Sequence, residues 1–68
     1  MRFADKLQYL RKKKGMTQTE LAELVNVTQV SIHNWEEKGI VPYKNTQIQL
    51  AKVLDVNLDD LMNDERSV

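Results

Sequence analysis

The sequence predicts an all-α fold, a compact domain of five short helices, and three observations lead there. Apolar residues recur at spacings of three and four, the period that gathers them on one face of a helix. Helix-capping patterns interrupt that period, and one starting device occurs twice in close succession. The chain has 68 residues, enough for one small core and no second domain, so residues 1–68 are read as a single unit with about 3–5 kcal/mol of stability.

Helix one is predicted over about residues 3–14. Phe3, Leu7 and Leu10 keep the helical spacing, and Gly15 supplies a left-handed stop after a basic last turn. Thr17 and Glu20 form a T-x-x-E capping box, flanked by Met16 and Leu21 as a hydrophobic staple, so helix two covers about 17–25. It carries Leu21, Ala22, Leu24 and Val25, and Asn26 behind it tolerates the left-handed conformation of a sharp turn. Thr28 caps helix three, about 28–38, with Val27 and Ile32 as the second staple and Gly39 as the stop. Ile40 to Lys44, containing Pro42, form a connecting loop. Helix four runs over about 46–54 through Ile48, Leu50, Ala51, Val53 and Leu54. Asn57 caps a short fifth helix, about 58–63, and residues 64–68 read as a fraying tail. No internal repeat or low-complexity stretch occurs.

Composition removes several function classes. Cysteine is absent and histidine occurs once, which leaves no disulfide framework and no conventional zinc site. No metal, cofactor or small-molecule ligand is implied. No apolar run can cross a bilayer, and the opening MRFADKLQYL is interrupted by polar residues in a helical period, unlike a signal peptide. A cytoplasmic protein with no membrane partner is expected. The formal net charge is zero, with 10 basic and 10 acidic residues, which taken alone argues against a nucleic-acid partner. The distribution argues the other way. From Val53 onward Asp55, Asp59, Asp60, Asp64 and Glu65 are balanced only by Arg66, while Arg11, Lys12, Lys13 and Lys14 form a basic run. That run has two readings: a solvated helix end favoured by the macrodipole, or a set of phosphate contacts.

The segment Val27 to Gly39, VTQVSIHNWEEKG, is the most informative. Ile32 and Trp35 form an apolar stripe, and on the opposite side Gln29, Val30, His33 and Asn34 share one face. Gln and Asn amides pair bidentately with adenine in the DNA major groove, and Val30 offers apolar contact to a thymine methyl. The bland alternative is an ordinary solvated row. It leaves Val30 exposed without a purpose, and it accounts well enough for His33. Trp35, sharing the stripe of Ile32, reads as core and not as a base-stacking residue.

Extended to MTQTELAELVNVTQVSIHNWEEKG, and followed by Leu50, Ala51, Leu54, Val56 and Leu61, the chain resembles the lambda-repressor-like, Cro/C1-type (XRE) helix-turn-helix DNA-binding domains from Phe3 to Met62. The resemblance implies that helices two and three form the helix-turn-helix and that helix three enters the major groove by its N-terminal residues. It makes Ala22 the small residue at a close helix crossing. The usual turn glycine is here Asn26, a mild departure because Asn also accepts positive φ. Gln18 is the position whose side chain clamps a phosphate, and Arg11 with Glu36 is a structural charge pair between the first and third helices. The remaining phosphate contacts fall to Thr17 at a helix start, to Ser31, and to Lys38, Tyr43, Lys44 and Asn45 beside the loop after helix three.

The resulting expectation is a sequence-specific transcriptional regulator, a repressor of the bacterial or phage kind, on a double-stranded DNA operator. One recognition helix reads few base pairs, so a homodimer on an inverted repeat is expected, with half-sites about 34 Å apart and Leu58, Leu61 and Met62 as the dimer surface, with a place in the monomer core as the alternative for Leu61. The rival is a protein-interaction module of antitoxin or regulatory type that uses the same fold to mask a partner. Paired carboxylates, Glu20 with Glu23 and Asp59 with Asp60, suggest no enzyme, because no nucleophile or glycine-lined pocket accompanies them.

Overall fold

Each helix of the molecule begins and ends where a local hydrogen-bonding device stops the chain. The structure, a computed structural model, describes residues 2–63 and consists of α1 (Phe3–Lys13), α2 (Gln18–Leu24), α3 (Gln29–Glu37), α4 (Lys44–Leu54) and α5 (Leu58–Met62), with no strand among the described residues. The tail expected at 64–68 lies outside the described residues.

α1 stops at Gly15, which takes φ 73° while the Gly15 and Met16 N–H groups donate back to the carbonyls of Lys12 and Arg11. Both halves of the predicted capping box are present at α2. The Glu20 N–H donates to Thr17 Oγ1 at 3.0 Å, and the Thr17 N–H donates to Glu20 Oε1 at 2.8 Å. Asn26 turns the chain at φ 57°, and the Val27 N–H closes back on the Ala22 carbonyl at 2.9 Å. Thr28 caps α3 as expected, its Oγ1 accepting from the Ser31 N–H at 3.2 Å.

The structure differs from expectation at the next two starts. α4 begins at Lys44 and not at 46, because the Tyr43 carbonyl already accepts from the N–H groups of Thr46 and Gln47, each at 3.0 Å. The connecting loop therefore ends one residue earlier than expected, and Lys44 is helical. At α5 Asn57 is the N-cap residue but makes no side-chain cap, since its Nδ2 turns toward Asp60 Oδ2 at 3.5 Å. Asp55, left-handed at φ 60° after α4, has no glycine to mark it in the sequence; a short polar side chain is tolerated there.

α3 packs against both α1 and α2, while α5 closes against α4 and α1. Leu7, Leu21, Ile32, Leu50 and Leu61 are fully buried, surrounded by Phe3, Ala22, Val25, Trp35, Ala51 and Leu54. Each of the larger side chains contributes about 1.5–3 kcal/mol on leaving water. Leu61 is thus a core residue with 0 % exposure, which removes it from the expected dimer surface. On a helix as short as α5 only one face meets α1 and α4, and Leu61 lies on it; Leu58 and Met62 flank it half-buried. Leu24 and Ile48, expected on core stripes, are instead exposed, because Leu21 with Val25 and Leu50 with Leu54 already fill those faces at a spacing of four. The Lys6 ammonium from α1 donates to the carbonyls of Asp60 and Asn63, tying the end of α5 to the first helix.

Candidate nucleic-acid interface

At 100° per residue, α3 divides into two faces. Ile32, Trp35 and Glu36 are buried, and Gln29, Val30, His33 and Glu37 are exposed on the opposite arc, with Asn34 half-buried at its edge. Val30 is 60 % exposed, an apolar side chain presented to solvent in the first turn of the helix. Glu37 was missed by the reading of the sequence, although the same spacing of four that links Gln29 to His33 reaches it.

Where the starts of α2 and α3 approach one another, four side chains form a hydrogen-bonded chain. Arg11 Nε donates to Glu36 Oε2 at 2.7 Å, and its NH2 nitrogen donates to Glu36 Oε1 at 2.9 Å, a two-pronged pair inside the protein. The NH1 nitrogen of Arg11 donates to the Met16 carbonyl at 2.8 Å, so the same guanidinium also fixes the segment leading into α2. Gln18 Nε2 donates to Glu36 Oε1 at 3.1 Å, and Gln29 Nε2 donates to Gln18 Oε1 at 2.6 Å. The hydrogen bond to Glu36 is the larger cause that raises the Arg11 pKa further above its ordinary value; desolvation opposes it and the Glu36 charge adds to it. Among the described residues no buried side-chain nitrogen or oxygen lacks a partner.

The remaining residues singled out in the sequence divide by what they have free. Thr17 has its N–H and Oγ1 engaged with Glu20, so the helix-start donors with no partner inside α2 are the N–H groups of Gln18 and Thr19. Ser31 is half-buried, its hydroxyl beside Thr28 Oγ1 at 3.2 Å. Lys38 is the C-cap of α3 and Tyr43, 89 % exposed, is the N-cap of α4. No side chain caps α4, leaving the N–H groups of Lys44 and Asn45 open at a helix start, where the macrodipole favours an anion. No hydrogen bond among the described residues links this second group to the Gln18–Gln29 pair; the two are joined through α3 itself.

The whole arrangement recurs in known proteins. The family model described as Helix-turn-helix matches residues 7–61. The chain is 34 % identical, over all 68 residues, to the HTH-type transcriptional activator BcrR of Enterococcus faecalis, of whose length it spans 33 %. The P22 c2 repressor, in a crystal structure with a synthetic operator, superposes with a TM-score of 0.89 at 26 % identity, covering 96 % of this chain and 98 % of that one. SinR, a master regulator for biofilm formation solved in complex with DNA, gives 0.80 at 27 % identity over 87 % of this chain and 95 % of its own. By the sequence of residues 7–61 and by its five-helix architecture, the chain belongs to the helix-turn-helix family of lambda-repressor-like, Cro/C1-type domains.

Proposed function

We propose that this domain binds double-stranded DNA with sequence preference and regulates transcription, α3 lying in the major groove. The observation that carries the reading is the Gln18–Gln29 hydrogen bond of 2.6 Å, which holds two exposed-edge amides at the junction of two helix starts beside the bare Val30. A pair of that kind has the reach to join a base edge to the backbone. In this reading Gln29, Val30 and His33 face base edges, with Asn34 at the margin. Gln18, Ser31 and Thr17 meet one phosphate run, and Lys38, Tyr43, Lys44 and Asn45 meet another. A similar chain carries an activator's name and a similar structure a repressor's. Repression follows where the operator overlaps a promoter, since a domain seated in the groove occludes it.

The domain acts as a symmetric pair. Val41, 53 % exposed, and Met62 line one shallow depression with Phe3, and together with Leu58 they supply the apolar contact that Leu61 does not. The test is selection of binding sites from random duplexes at stated salt: an enriched inverted repeat is expected, and enrichment of no sequence would sink the proposal.

A further inference from the structure

We infer that Glu36, anchored by Arg11, is a positioning residue that sets which purine Gln29 accepts, because it fixes the direction of the amide chain Glu36–Gln18–Gln29. The inference rests on the proposed role of Gln29 as a base reader. A carboxamide on its own can present either end, since its oxygen and nitrogen are nearly the same size and shape. An ionised carboxylate only accepts. Glu36 is 8 % exposed and holds both of its oxygens toward the Arg11 guanidinium, so what it offers Gln18 is an acceptor. Gln18 must therefore turn its NH2 inward, which it does at 3.1 Å, and its carbonyl oxygen is driven outward. That oxygen in turn orders Gln29, whose NH2 donates to it at 2.6 Å.

Gln29 is left with a free carbonyl oxygen beside one remaining N–H. Adenine shows the major groove a donor at N6 beside an acceptor at N7, the complement of that pair. Guanine shows acceptors at both O6 and N7, and its O6 would meet the Gln29 carbonyl as like to like. Glu36 touches no base, yet its charge decides between the purines. Gln18 keeps a second N–H, which suits a phosphate oxygen and disturbs nothing in the chain.

The experiment is site selection from random duplexes with the wild-type chain and Gln29→Ala, Gln18→Ala and Gln18→Lys in parallel. The wild type is expected to demand adenine at one position of each half-site, and Gln29→Ala to lose that demand. Gln18→Ala frees the Gln29 amide to turn over, so the adenine-to-guanine ratio at that position falls about fivefold or more, with the other positions held. Gln18→Lys replaces the acceptor by a donor that pairs with Glu36 and with the Gln29 carbonyl together, turning the Gln29 NH2 outward and enriching guanine. If both Gln18 variants weaken all sites alike and keep the purine preference, the inference is overturned and Gln29 stands as a reader. If Gln29→Ala keeps every preference, the reading beneath the inference fails. A measurement on free protein avoids DNA altogether: one side-chain amide hydrogen of Gln29 is expected to exchange with water more slowly in the wild type than the same hydrogen does in Gln18→Ala. Exchange of both hydrogens at the same rates in the two proteins overturns the inference.

Discussion

The Arg11 guanidinium makes its hydrogen bonds from within the protein, to Glu36 and to the Met16 carbonyl. Removing it leaves Glu36 charged, buried and without its counter-ion. Arg11→Met is expected to destabilise by about 3–5 kcal/mol, comparable with all the stability of a domain this size, while Arg11→Met combined with Glu36→Leu recovers most of the loss; urea unfolding of the two variants measures both. The raised Arg11 pKa means that proton loss from this group withdraws stability only in strong alkali, above the ordinary arginine range. Trp35 is 7 % exposed on the same side of α3. Trp35→Ala is expected to cost about 3–5 kcal/mol and to melt the domain near room temperature by circular dichroism. A folded variant lacking only DNA binding would reverse the two faces of α3. At this scale Gln29 was legible from the face it shares on α3, while Gln18, Arg11 and Glu36 came from the family resemblance. The bond between the two glutamines was not legible, because it depends on the crossing of α2 and α3, which no local spacing encodes.

The helices themselves were read well wherever a capping side chain or a glycine marks the end. Thr17, Thr28, Gly15, Asn26 and Gly39 each do the job expected of them. Where backbone carbonyls or an aspartate perform it, as at Tyr43 and Asp55, side-chain patterns give no signal, and the start of α4 was placed late. The early start bears on the proposed function, since it converts Lys44 from a loop residue into the first residue of an uncapped helix. Lys44→Ala is expected to weaken specific and non-specific DNA binding about equally and to lower the slope of log affinity against log salt by about one. Glu37 supplies the opposite sign. Two turns beyond Gln29 on the exposed face of α3, with α3 in the major groove as proposed, it would leave the groove where phosphates close in, and its charge would oppose them. Glu37→Gln is expected to raise affinity for every sequence alike in a fluorescence titration; no gain would place the C-terminal end of α3 away from the backbone.

The 68 residues carry zero net charge, so long-range attraction to DNA is weak, and under the proposed pairing affinity comes from matched contacts at two half-sites. For a symmetric pair the half-sites must lie on one side of the duplex. Inserting about 5 base pairs between them, half a helical turn, is expected to abolish joint occupancy, and about 10 to restore part of it; a gel-shift series checks this. The overall architecture was legible because five amphipathic segments with short connections have few ways to bury their apolar faces. The proposed dimer surface was less so. Leu61 looks the same as Leu58 in sequence, and only the closure of α5 against α1 and α4 separates the buried one from its half-buried neighbour.

The connection from α3 to α4 is fastened at both ends. The Ile40 N–H reaches back to the Asn34 carbonyl at 3.4 Å, and Gln47 Nε2 holds the Pro42 carbonyl at 2.8 Å, with Pro42 itself buried. A surface loop that must freeze on its ligand gives up conformational freedom at the moment of binding, and its affinity falls by that amount. Here the freezing belongs to folding. In the proposed complex, what remains to be ordered on a duplex is the outer length of a few side chains, Lys38, Tyr43 and Lys44 among them, so the backbone geometry that would space one phosphate contact from the next is already set in the free protein.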